Sequence, residues 1–169
     1  MNKNEKFVIT INRELGSGGR TVGRLLAEKL GVPFYDKAVI KTLQEKYRIS
    51  PDEMFKTETL ILQDLAAGES CVVAGRSGFH VFRLHPNHLS VLIQASMEHR
   101  MERVARKQGI TPEEARKIID QVDKMRENYV KKYTGTSRYD TRNYQLVIAA
   151  DGKTEEQMAA PGKAVRHHQ

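Results

Sequence analysis

Residues 14–21 read Glu-Leu-Gly-Ser-Gly-Gly-Arg-Thr, and these types at this spacing suit the binding of a phosphate. Gly16, Gly18 and Gly19 leave the backbone unshielded, and with Ser17 between them consecutive N–H groups can turn toward one anion. Arg20 adds a permanent cation, and Thr21 a hydroxyl of the kind that ligates Mg²⁺ beside a nucleotide. Set against the phosphate-loop pattern G-x-x-x-x-G-K-[ST], Gly19 and Thr21 keep their places, Arg20 replaces the lysine and Glu14 replaces the first glycine. An arginine fork follows a moving phosphoryl group less readily than an ammonium, so the run reads as a phosphate site first and a transfer site second. A tight strand-to-helix turn alone needs one or two glycines and no adjoining Arg-Thr, and does not account for it.

The elements around the loop must position it. Phe7, Val8, Ile9 and Ile11 form a nearly unbroken apolar run, as in a strand buried on both faces of a parallel sheet. Thr21 and Val22 begin a helix with apolar residues at Val22, Leu25, Leu26 and Leu30, closed by Gly31. A phosphate at its N-terminus meets free N–H groups and the positive end of the dipole. Further along, the pattern predicts a short strand over Val32–Asp36, a helix over 38–47, and a helix from Ser50-Pro51-Asp52-Glu53 to about Ala67. Strands follow at Cys71–Ala74, Leu89–Gln94 and Leu146–Ala149. Ser96 caps one helix, and Thr111-Pro112-Glu113-Glu114 starts another that reaches about Tyr133. Strands alternating with helices imply an α/β fold: a three-layer core, a parallel sheet of about five strands, and the site at the strands' carboxyl ends. Arg20, Asp36 and Arg76 follow strands one, two and three, so this architecture brings them together.

At 169 residues, with no repeat or linker, the chain reads as one domain over 1–160 followed by a frayed tail over 161–169. No run approaches the ~18 apolar residues of a membrane span, and the N-terminal MNKNEK is unlike a signal peptide; a cytoplasmic protein is expected. Cys71 is the only cysteine, which excludes disulfides within the chain, and its apolar setting suits a core thiol. The six histidines offer no set of metal ligands at useful spacing. A net charge of +7 fits either a nucleic-acid surface or a site for a small polyanion. Lys and Arg are interspersed with Asp and Glu, without a basic tail or an aromatic-interleaved stripe, which favours the polyanion.

Three stretches, ITINRELGSGGRTVGRLLAEKLGVPFYDKAVI, CVVAGRSGFHVF and the region from VLIQASMEHR to KKYTG, together resemble the cytidylate kinase-like family of P-loop nucleoside monophosphate kinase folds. The resemblance covers most of residues 7–150, and in that family arginine at the phosphate-loop lysine position is usual. It implies ATP as phosphoryl donor at Gly16, Ser17, Gly18, Gly19, Arg20 and Thr21, with Mg²⁺ at Thr21. It also implies a small phosphorylated acceptor, a nucleoside monophosphate such as CMP, and a helical lid over about 96–140. Asp36 is similar to an aspartate near the acceptor nucleotide, and Gly75-Arg76 to a segment whose arginine holds the monophosphate. Ser77 stands where that segment carries aspartate, and Lys37 where serine is usual. Arg103 and Arg126 are similar to lid arginines that would join Arg20 and Asp36 in catalysis, with Arg100 beside the acceptor. By helical period Arg100, Arg103 and Lys107 share one face and Met97, Met101, Val104 and Ala105 another; surface ion pairs are the alternative role for any one of these arginines. A nucleotide-binding module without kinase activity and a basic nucleic-acid binder remain the other functional readings. The sequence leaves the acceptor and the oligomeric state open.

Overall fold

Strand β1 (Val8–Arg13) lies at the centre of the molecule because its residues are apolar toward both faces. A computed structural model describes residues 4–48, 53–75 and 77–160. In chain order the further elements are α1 (Gly19–Leu30), β2 (Phe34–Tyr35), α2 (Lys37–Tyr47), α3 (Met54–Gly68), β3 (Cys71–Ala74) and α4 (Gly78–Val81). There follow β4 (His88–Gln94), α5 (Met97–Gln108), α6 (Pro112–Thr134), β5 (Leu146–Ala149) and α7 (Glu155–Met158). The five strands form one parallel sheet in the order β2-β3-β1-β4-β5.

Side chains of β1 alternate between two cores, as the period of a strand requires. Ile9 and Ile11 join Val22 and Ala27 of α1 on one face, together with Val91, Ile93 and Met158. Val8 packs on the other face with Ile40 of α2, Leu62 and Ala66 of α3, Val73 and Phe82. Each of these side chains contributes roughly 1.5–3 kcal/mol when fully buried. The sheet is thus the middle of three layers, as expected. Cys71 is fully buried in the second core. Helices α5 and α6 meet each other through a separate small cluster of Val104, Ala115 and Ile119. No helix among the described residues is long and apolar enough to cross a membrane.

Local signals hold where side chains make the caps. The Ser96 hydroxyl accepts from His99 N, and Thr111 with Glu114 forms a reciprocal capping box at the head of α6. Helix α1 opens at Gly19, two residues earlier than the pattern places it, because Gly18 takes a left-handed conformation (φ 84°) and ends the loop there. The helix start expected at Ser50 and the tail at 161–169 lie outside the described residues. Short helix α4 has no counterpart in the sequence pattern; its N-cap is Ser77, a non-glycine residue at φ 57°.

At the opposite end of the sheet from the loop, the Thr10 hydroxyl and His88 Nε2 are 2.7 Å apart. Burial pushes the His88 imidazole down to about 4 from an ordinary 6.5; His85 lowers it further and a bond with the Phe82 backbone opposes the shift. As pH falls, the unfolded chain therefore protonates His88 before the folded one does. Its contribution to stability is intact above about pH 6.5 and is lost as pH drops toward about 4. Urea midpoints of the native protein should fall between about pH 7 and pH 5 by more than those of His88→Gln; parallel pH profiles for the two proteins would contradict this assignment.

Candidate active site

The phosphate loop is built between β1 and α1, and its shape depends on what Glu14 and Arg100 do beneath it. Glu14 N donates to Ile93 O at 3.1 Å. One oxygen of the Glu14 carboxylate accepts from Ala95 N at 3.1 Å and the other from Arg100 Nη1 at 3.1 Å. The residue that displaces the first glycine of the pattern is therefore the anchor of the loop to β4 and α5. Arg100 completes the anchor, with Nε donating to Leu15 O at 2.8 Å and Nη2 bonded to Asp123 of α6 at 2.6 Å. Gly16, at φ 84°, passes so close that a Cβ there would stand 2.7 Å from the Arg100 carbonyl oxygen, and a Cβ on Gly19 would collide with the Arg13 side chain. The Ser17 hydroxyl accepts from Gly19 N at 3.3 Å. By position, the amides of Arg20 and Thr21 in the first turn of α1 have no helical partner and are available to an anion.

A cleft of about 170 Å³ opens over this loop, with Gly16, Gly18, Gly19, Arg20 and Thr21 on its floor. Arg103 and Lys107 of α5 and Arg126 of α6 close it from above, and Arg13 from the side. Arg103 Nη1 pairs with Glu155 Oε1 at 2.5 Å. Arg20 and Asp36 do converge, and they meet each other: Arg20 Nε bonds Asp36 Oδ2 at 2.6 Å, while Asp36 Oδ1 accepts from Ala38 N at 3.1 Å and caps α2. Arg100 requires a correction. Expected beside the acceptor on a polar face, it is buried with Val104 behind the loop and borders neither this cleft nor the next. Arg76 lies outside the described residues.

A second cavity of about 430 Å³ adjoins the first, between the ends of β1 and β3 and the face of α6. Arg13 and Arg126 border both. The sequence reading missed two of its residues. Arg13 is the last residue of β1, a place at the carboxyl end of the central strand that itself signals a site residue. Arg138 sits in a loop with no pattern to mark it, held there by Glu127, whose carboxylate accepts from Ser137 Oγ at 2.7 Å and from Arg138 N at 3.0 Å. Arg138 Nη2 and Arg126 Nη1 both donate to the carbonyl of Arg13, at 2.6 and 3.4 Å. Burial, Arg126, Arg138 and Arg20 together push the Arg13 guanidinium down to about 10, with Asp36 pulling it back. Arg126 is lowered chiefly by burial and then by Arg138. Behind the cavity Phe55 of α3 stacks on Tyr133 of α6 (4.8 Å between centroids, 13° between planes), with Tyr129 packed against both.

A family model described as the cytidylate kinase-like family matches residues 8–59 and 44–151. The chain belongs to the cytidylate kinase-like family. It is 30% identical to a cytidylate kinase of Methanopyrus kandleri over 169 residues, covering 89% of this chain and 88% of the relative. In structure it is similar to an uncharacterized protein from Eubacterium ventriosum (TM-score 0.85, 24% identity, covering 96% of this chain and 98% of that one). It is also similar to a shikimate kinase from Bacteroides thetaiotaomicron (TM-score 0.59, 15% identity, 95% and 98% covered). Together these place this cytidylate kinase-like chain on the fold of the P-loop kinases.

Groups of three or more His, Cys, Asp or Glu able to hold a metal are absent among the described residues. A single hydroxyl beside bound phosphates suits Mg²⁺ carried in with a nucleotide, since Mg²⁺ keeps most of its waters and takes one or two protein ligands. Thr21 on the cleft floor is suited to be one.

The Arg100 placement has a measurable consequence. Its side chain is 4% exposed and joins Glu14 and Asp123, themselves 11% and 21% exposed, so Arg100→Ala strands two carboxylates. Urea denaturation should show a loss of about 3–5 kcal/mol. Arg24→Ala, which breaks only an exposed pair with Glu28, should stay within about 0.5 kcal/mol of native. A stable Arg100→Ala with a raised acceptor KM would restore the acceptor role.

Proposed function

We propose that this protein transfers the γ-phosphoryl group of Mg²⁺–ATP to a nucleoside monophosphate, with CMP the first candidate. What carries the reading is the shared wall: a cleft floored by a phosphate loop and a larger cavity meet at Arg13 and Arg126, so a donor phosphate in one and an acceptor in the other face the same two cations. Phosphoryl transfer asks a protein mainly for positioning and for fixed charge where charge develops. The family and the name of the Methanopyrus kandleri relative point to a cytidylate acceptor.

The roles follow from position. Gly16 to Gly19 and the first turn of α1 would hold the donor phosphates, and Thr21 would hold Mg²⁺, which when bound would neutralise phosphate charge. Asp36 takes the Nε of Arg20, leaving the terminal nitrogens of that guanidinium for the β and γ oxygens. Asp36 thereby acts on the donor side by positioning Arg20, and its other oxygen caps α2 without bordering the acceptor cavity. Arg103 and Lys107 cover the donor from α5, and Arg126 reaches the junction from α6. Arg76 joins the acceptor site in this reading.

Incubation with Mg²⁺–ATP and CMP, dCMP or UMP should yield a diphosphate resolved by chromatography, and the productive acceptor names the substrate. Arg126→Ala should lower kcat by about 10³ or more while leaving the fold and ATP affinity near native, since a cation at the transferring group is worth ~10³–10⁵ in rate. ATP binding without product from any acceptor would instead make the protein a nucleotide-binding module.

A further inference from the structure

The acceptor cavity holds two buried polar side chains whose bonding is incomplete. Among the described residues, Arg138 is 1% exposed yet its Nε and Nη1 have no hydrogen-bond partner, and Ser77, 4% exposed, has an unpartnered hydroxyl. Both border the same cavity. A buried polar group left unmatched costs about 1–3 kcal/mol, more when charged, and native proteins seldom leave one without a reason. Ser77 adds a left-handed backbone at φ 57°, uncommon for a non-glycine residue and enriched at ligand sites.

Charge sharpens the point. Arg126 and Arg138 both donate to the carbonyl of Arg13, whose own guanidinium borders the same cavity, and among the described residues none of the three forms an ion pair. The carboxylates closest to them are engaged elsewhere: Asp36 with Arg20, Asp123 with Arg100, and Glu127 with Ser137 and the Arg138 amide. These three cations, with Lys37 a fourth on the same wall, repel one another, and a single negative charge on a ligand would leave most of that repulsion in place. A phosphate monoester brings close to two charges and three acceptor oxygens, enough for the unpaired nitrogens of Arg138 and for Ser77 Oγ. Beside the polar Asn12 and Lys37, the wall carries Tyr129, Met54, Met125 and Val122, an apolar and aromatic stretch that suits a flat organic body behind a charged head.

We infer that Arg138 is an acceptor-recognition residue: with Arg13, Arg126 and Ser77 it forms a site that selects a dianionic phosphate over a monoanionic carboxylate or a neutral hydroxyl compound. This rests on the kinase reading for its place in the reaction, while the anion site itself stands on the cavity. The arrangement costs the free protein stability and returns it when the anion arrives.

The test compares thermal midpoints of the native protein and Arg138→Met with inorganic phosphate and, at matched ionic strength, with acetate. Methionine keeps the unbranched stem and removes the charge, a change that is often neutral or stabilising in a buried charged cluster. Without ligand the variant should melt at or above the native temperature. Phosphate at about ten times its dissociation constant should raise the native midpoint by about 3–6 °C, and that of the variant by less than half as much; acetate should move neither. Phosphate bound at the donor loop contributes equally to both proteins, so the difference reads the Arg138 site. No phosphate response in the native protein, an equal response in the variant, or an equal response to acetate would overturn the inference. Should Arg138→Met fail to fold, Arg138→Lys keeps the charge without the planar fork, and an undiminished phosphate response there would overturn it too. A response that depends on Arg138, together with no diphosphate from any acceptor, would leave the site standing and refute the kinase reading.

Discussion

One guanidinium holds the donor loop, α5 and α6 in a single frame. Arg100 bonds the Leu15 carbonyl and the Glu14 carboxylate in the loop and Asp123 on α6, and is itself part of α5. The pairing is almost wholly shielded from water, where Coulomb energy is large and each partner's desolvation is large as well. Such a group adds little net stability beyond an apolar replacement, but it dictates geometry. With three acceptors at fixed positions, the planar fork leaves few arrangements of loop against helix. The Cβ-free path of Gly16 over the Arg100 backbone follows from the same contact.

That frame separates the arginines into two kinds. Arg100 is matched by carboxylates and carbonyls, and so is settled before any ligand binds. Arg126 and Arg138 share the Arg13 carbonyl, and among the described residues neither they nor the Arg13 side chain forms an ion pair, so their positions are fixed by packing and backbone bonds. Active sites tolerate such frustration because the binding of the right anion relieves it. The net charge of +7 owes its functional meaning to this internal cluster more than to any surface stripe.

Much of the fold was legible in the sequence because it rests on local rules. Strand and helix periods, the Thr111 capping box and the glycine-rich loop each report on a few neighbouring residues, and each appears within a few residues of where its pattern puts it, with α1 opening at Gly19 and β2 shortened to Phe34–Tyr35. The convergence of Arg20 and Asp36 was legible too, since parallel strands bring their carboxyl ends together. Arg100 was not. Its period groups it with Arg103 and Lys107, yet it lies four residues before buried Val104, and its burial depends on Glu14, 86 residues away in sequence. Nor was Arg138, which sits in a loop that Glu127 folds inward through backbone and hydroxyl bonds. Long-range compensation of charge leaves no periodic trace, so a buried cation and a solvated one look alike in a sequence.

The Arg13 peptide gives the two halves of the site a direct physical link. Its carbonyl receives Arg126 from α6 and Arg138 from the following loop, and the next residue is Glu14, the anchor of the phosphate loop. A ligand that draws Arg138 or Arg126 toward itself must shift density away from that carbonyl, and the peptide plane that carries it is continuous with the phosphate loop. Glu14 is held on the other side through Ala95 and Arg100. In the proposed transfer the same peptide would thus join the acceptor-side arginines to the loop beneath the donor phosphates, which is the kind of fixed positioning that transfer between two bound phosphates requires.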